Sequence, residues 1–359
     1  DLVVTADDVV VEPGVAIATS GAISMTGRTI DVGRRAVIEG GGDVTLTAVA
    51  SGDTVWDRFR LVGPEASIQL GHAARIESSG PAGVTLSSTA TMENPTNSTA
   101  GLEDALDELL LLLPAAIDIL QALTLLVSEV VGMLPADIAT PVQDGLTEIS
   151  DGLGSAEAEF KEAIQGEDGD EDNIFDLPDG VEAAAEFGRA DARVDVDNGA
   201  SIVSASDASL SATANSTVIV TTEAADGYLG ISYAASEPTA QVRVFTGAVI
   251  QAAGTVTLSS DTNTVLTMRT EVNDGTSEET LGITTSFAQT DAAANTTVAV
   301  GSSITAADLE MSATNQRNVQ HVAIAGGFGN SDDAGVGATL AVGQYVANAL
   351  VKLAGHVDV

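Results

Sequence analysis

The chain has no cysteine, which excludes disulfides, thiol nucleophiles and cysteine-ligated metals. Aromatic residues make up only 3%. Trp56, Tyr228 and Tyr233 are too few for an extended platform on which sugars could stack. Basic side chains are scarce as well: 13 stand against 52 acidic ones, a formal net charge of −39. Lys161 and Lys352 are the two lysines. A field of that sign repels nucleic acid and anionic membrane surfaces and attracts cations. Acidic, lysine-poor chains suit salty or calcium-rich surroundings, where counterions screen self-repulsion. His72, His321 and His356 fall in different repeats without the spacing of metal ligands.

Hydrophobic residues reach 44%, enough for a sizeable core, and Ala, Val, Ile and Leu dominate them. Small and β-branched side chains suit closely stacked strands. A glycine, a short gap, an isoleucine and then an alternating run with Leu or Met recur along the chain. The instances are Gly14–Ile17–Met25, Gly33–Ile38–Leu46, Gly71–Ile76–Leu86, Gly199–Ile202–Leu210, Gly247–Ile250–Leu258 and Gly301–Ile304–Met311. The runs themselves alternate, as in Val44-Thr45-Leu46-Thr47-Ala48, so one face points in and one points out.

A second signature begins at Leu229-Gly230-Ile231, returns at Leu281-Gly282-Ile283 and again at Val336-Gly337-Ala338. Repeats in this length range, built of short strands and turns, indicate a solenoid. About two coils of a parallel β-helix are expected in each period. A β-sandwich array is the competing architecture, but Asn-Gly hairpin signals are scarce. The opening residues alternate like a strand instead of reading as a signal peptide, and both ends are expected to fall inside a repeat.

The pattern stops over 101–188, where the sequence predicts an α-helical insertion between a β-solenoid at 1–100 and another at 189–359. The stretch 115–133 is largely apolar, and Asp118, Gln121, Ser128 and Glu129 within it argue against a membrane span. Further helices are predicted over 155–165 and 181–187. Between those two, Asp168, Asp170 and Asp172 occupy alternate positions, followed by Asp176 and Asp179. That spacing suits calcium, whose hard oxygen ligands must converge from one side of a turn. The segment resembles an EF-hand or dockerin-type loop. Asn173 stands where such loops need glycine, and Asp179 where they carry glutamate. A solvated acidic linker is the competing reading.

Parallel β-helices can also act as polysaccharide lyases or hydrolases, which need paired carboxylates or a poised base. Asp332-Asp333 is an adjacent carboxylate pair in a glycine-rich stretch, without a Gly-His-Gly or Arg-Ile-Lys companion. Catalysis is therefore not expected.

The sequences Gly42–Ala48 and Val336–Val342 resemble large filamentous adhesins, the haemagglutinin-like and leukotoxin-type repeat exoproteins of bacterial surfaces. The resemblance covers the chain outside the predicted insertion. It implies a right-handed parallel β-helix shaft, export to the cell surface or beyond, and a role in attachment or filament building. Self-association, other surface or matrix components, or carbohydrate are the expected partners, and the acidic loop and surface make calcium the expected stabilising ion.

Overall fold

This computed structural model describes residues 1–57, 60–93, 181–224, 229–272, 281–325 and 336–359. The described chain coils repeatedly through three parallel sheets, A, B and C, each of seven strands. The first coil is β1 (Leu2–Thr5), β2 (Asp8–Val11) and β3 (Ala16–Thr19). The second is β4 (Ile23–Gly27), β5 (Thr29–Val32) and β6 (Val37–Gly40). In the third, β7 (Val44–Gly52) is followed by the antiparallel pair β8 (Val55–Asp57) and β9 (Arg60–Val62), then β10 (Glu65–Leu70) and β11 (Arg75–Ser78). The fourth coil is β12 (Val84–Met92), β13 (Val181–Val196) and β14 (Ser201–Ser204). The fifth is β15 (Ala208–Ala224), β16 (Leu229–Val244) and β17 (Val249–Ala252). The sixth is β18 (Thr255–Val272), β19 (Leu281–Val298) and β20 (Ser303–Thr305). The last is β21 (Asp308–Ala325), β22 (Val336–Leu353) and β23 (His356–Asp358).

Parallel stacking turns the sequence repeat into ladders of like residues. Ile17, Ile38, Ile76, Ile202, Ile250 and Ile304 stand on successive rungs of sheet C. Met25, Leu46, Leu86, Leu210, Leu258 and Met311 do the same in sheet A. Val11, Val32, Leu70, Val196, Val244 and Val298 form the matching row of sheet B. These rows meet in one hydrophobic core along the solenoid. Burying each such side chain contributes roughly 1.5–3 kcal/mol, and each rung is half-covered without its neighbours.

From the fourth coil onward the strands of sheets A and B lengthen to 16–18 residues, apart from β12, while those of sheet C stay at three or four. Alternation continues without a break along Thr255–Val272, whose even-numbered residues are buried throughout. Sheets A and B therefore face each other beyond the triangular core, around a second cluster that includes Met92, Val218, Ala234, Leu266 and Met268. Hydroxyls share this layer: Thr222 with Ser232 at 2.6 Å, and Ser236 donating to Ser216 at 2.7 Å. Each such bond contributes about 1 kcal/mol net and removes the penalty of an unpaired buried hydroxyl.

Three expectations are corrected. Each period of about fifty residues forms one coil, because the strands of sheets A and B grow in length and no extra coil is added. Residues 181–187 are the start of β13, paired over its whole length with β16; ladder hydrogen bonds override the modest helical preference of an alanine-rich run. The signature glycines also do not all align. Gly282 faces Gly337, but Gly230 faces Thr284, two residues further on. A two-residue slip keeps every side chain on its own face. The predicted helices at 101–180 lie outside the described residues.

Candidate functional site

The corner leading into sheet C needs a left-handed residue three places before each ladder isoleucine. Gly14, Gly199, Gly247 and Gly301 supply it at φ between 69° and 81°. Arg35 (58°) and Ala73 (57°) take the same place in the second and third coils. There the repeat's glycines, Gly33 and Gly71, stand two residues earlier and accept the tight backbone approach of the coil below.

The corner leading into sheet A carries aspartate on every second coil. Asp1 Oδ1 accepts a hydrogen bond from the amide of Ala22 at 2.9 Å. Asp43 Oδ1 accepts from Ala82 and Gly83 at 2.9 and 3.2 Å, and Asp207 Oδ1 from Thr255 at 2.8 Å. Each carboxylate thus ties its coil to the next. Skipping a coil keeps like charges about 9.6 Å apart, near the Debye length and twice the rung spacing.

The outer face of sheet A is neutral over the first residues of β4, β7, β12, β15 and β18, whereas β21 opens with Asp308 and Glu310, the latter opposite Thr257. Thr45, Thr85, Ser209 and Thr257 form one row, and Thr47, Ser87, Ser211 and Ser259 the next. Rungs lie about 4.8 Å apart, so a row of carboxylates here would repel strongly; hydroxyls avoid this and bond along the row. On sheet B some charges are paired across or along strands, although Glu65 stands opposite Asp191 on the next rung. Arg243 sits on the rung after Asp195, Nε to Oδ1 2.7 Å. Near the first rungs, the Asp8 carboxyl is held below its ordinary range chiefly by a hydrogen bond from Thr29, with Arg28 alongside.

One polar cluster had no signal in the sequence, because its members come from three strands of two coils. His321 of β21 has Nε2 at 2.6 Å from Ser286 Oγ of β19, and Nδ1 at 3.4 Å from the hydroxyl of Tyr345 on β22. The Arg317 guanidinium stacks 5.4 Å from the Tyr345 ring centre. Burial pushes His321 below its ordinary pKa. A serine–histidine pair is the pattern of an activated nucleophile, but Ser286 is fully buried, so its hydroxyl is closed to substrate.

The chain matches no family model, no curated protein and no solved structure.

Asp168, Asp170, Asp172, Asp176 and Asp179 lie outside the described residues, as do Asp332 and Asp333. Among the described residues no three His, Asp or Glu side chains gather as metal ligands. His72 lies in the link between β10 and β11, whereas His321 and His356 belong to the last coil on different sheets. The structure does not bring the three together.

A further surface emerges on the outer side of sheet B. Phe187, Ile231, Tyr233, Ala235, Thr285 and Phe287 belong to β13, β16 and β19 and face away from sheet A. All six are nonetheless buried, between 2% and 8% exposed. Phe187 and Tyr233 stack with ring centres 5.3 Å apart, and the Tyr233 hydroxyl donates to Gln289 at 3.0 Å. Alternation alone hid this patch, since its outward positions read as solvent-facing.

Proposed function

We propose that this chain is a shaft segment of a secreted, cell-surface or extracellular filament protein of the adhesin type, without catalytic activity. The observation that supports this reading is the set of core ladders running through seven coils. Ladders of this kind make a stiff rod by stacking like residues, and their outer rows carry hydroxyls and paired charges suited to solvent. The right-handed β-helix expected from the resemblance to filamentous adhesins belongs to this proposal.

In this reading the 94–180 segment, set between β12 and β13, is the contact module. It would engage a second copy, a matrix component or carbohydrate. Calcium held by Asp168, Asp170, Asp172, Asp176 and Asp179 would stiffen it, and the chain's charge of −39 would keep copies apart until divalent cations bridge them.

Surface display tests the reading. The chain is anchored on a non-adherent bacterium, and attachment to matrix-coated and carbohydrate-coated glass is counted under flow. Attachment above the anchor alone, lost on deleting 101–180, is expected. Attachment no better than the anchor, with the chain folded and displayed, overturns it.

A further inference from the structure

The buried outer patch of sheet B has a definite location. It spans the fourth to sixth coils, through Phe187, Tyr233 and Phe287. On the seventh coil the row ends at Val342, directly opposite Phe287 and 41% exposed. Whatever covers the patch therefore stops before β22. The described elements that pack against β16 and β19 are their sheet B neighbours and strands of sheet A, and sheet A lies on the opposite face.

We infer that the apolar stretch 109–134 of this same chain packs on that face of sheet B. Chain length excludes the short links between sheets A and B as covers, and leaves the 94–180 segment and the 53–64 stretch, whose β9 touches β13. Phe187 and Ala235 each lie six residues inside their strands, about 20 Å from the strand starts at 3.3 Å per residue. A cover must reach that far and return, about 40 Å in all. The links 225–228, 273–280 and 326–335 run between sheets A and B at this same edge. The longest of them spans at most about 35 Å fully extended. The 94–180 segment has ample length, and it re-enters the solenoid as β13, the strand that carries Phe187.

Composition agrees. Residues 109–134 hold two charged side chains, Asp118 and Glu129, among runs such as Leu109–Leu113. In a chain with 52 acidic residues, such a stretch needs an apolar partner, and the patch gathers three of the chain's few aromatics. A cover entering through β13 would also reach the fourth to sixth coils before the seventh, where Val342 is open. Packing of 109–134 on the shaft leaves 135–180, with its acidic run, as the part presented outward. This deepens the contact-module reading and rests on it only for that last consequence.

Photo-crosslinking of the full chain tests the inference. Phe287 is replaced by benzoylphenylalanine, which preserves an aromatic side chain at the centre of the patch. Ile219 on the outer face of sheet A, 53% exposed, receives the same replacement as a control. After irradiation, the crosslinked peptides are identified by mass spectrometry. Adducts from position 287 to peptides within 109–134 of the same chain, absent from the control, are expected. Adducts confined to 53–64, 273–280 or 326–335 overturn the inference. So does a crosslinked dimer, which would give the face to a second copy, and so does crosslinking no stronger than at position 219. These outcomes leave the display experiment untouched, so the two readings fail separately.

Discussion

Ser211 donates a hydrogen bond to Ser87 at 3.3 Å, although 124 positions of chain separate them. The bond joins adjacent rungs of sheet A across the whole 94–180 segment. On either side of it the ladders resume without a slip: Leu86 faces Leu210 and Ile76 faces Ile202. Stacking of like side chains fixes the register more firmly than chain continuity does, because a one-residue slip would turn every core residue outward.

The ladder should therefore be costly to break and its outer row cheap. Leu210→Ala removes a fully buried side chain and is expected to cost about 2–5 kcal/mol. Ser211→Ala, one residue on and half-exposed, should stay within about 0.5 kcal/mol. Urea unfolding followed by circular dichroism measures both. Equal costs would mean that the core is not continuous at this rung.

The corners into sheet C give a backbone prediction. Ala73 holds a left-handed conformation at φ 57°, which costs an L-residue roughly 1–2 kcal/mol. Ala73→Gly should raise stability by about 1 kcal/mol, and Gly14→Ala should lower it by a similar amount. An added Cβ at Gly14 meets nothing within 4 Å, so the loss there reports conformation alone. Melting temperatures of the two variants should move in opposite directions.

Asp207 ties the fifth coil to the sixth through the amide of Thr255. Asp207→Ala leaves that amide to water and should cost about 1 kcal/mol, whereas Asp207→Asn keeps an acceptor and should cost less. Hydrogen exchange at the Thr255 amide is the direct probe. Unchanged protection in the alanine variant would show that the carboxylate contributes nothing.

His321 should make stability depend on pH. Burial lowers its folded pKa below the ordinary value of 6.5, so near and just below pH 6.5 the unfolded chain binds the extra proton. The advantage of the neutral, buried form is fully present above 6.5 and is lost as pH falls toward the folded value. Ser286 and Tyr345 face the ring, and Arg317 lies on Tyr345. Relative to His321→Gln, the parent's melting temperature should drop between pH 7.5 and 5. Parallel curves for the two proteins would show that the ring is not coupled to folding.

Calcium provides the last test. If Asp168, Asp170 and Asp172 bind the ion, melting in calcium should exceed melting in chelator, and Asp170→Asn should narrow the gap. Magnesium at equal ionic strength controls for simple screening of the acidic surface. An equal response to both ions would reduce the segment to a solvated linker.

Period-two alternation and the Ile and Leu spacings were enough to place the strands and their inward faces, because a residue's face in a strand depends on local geometry alone. The six repeat units read from sequence are the rungs of the ladders. Other features depended on what lay on the next coil. The left-handed corner residues in two coils are Arg35 and Ala73, where the repeat offers Gly33 and Gly71; the corner's φ is imposed by the stack, whatever residue occupies it. Residues 181–187 became strand because β16 was there to pair with them. The Ser286–His321–Tyr345 cluster and the patch of Phe187, Tyr233 and Phe287 join residues from separate coils, and no spacing along one coil encodes them. By itself the sequence determined a parallel stack of alternating strands, since that much is written in local periodicity. Register across the insertion, coil length and the covered face of sheet B were decided only by the tertiary structure, where each rung takes its conformation and its burial from its neighbours.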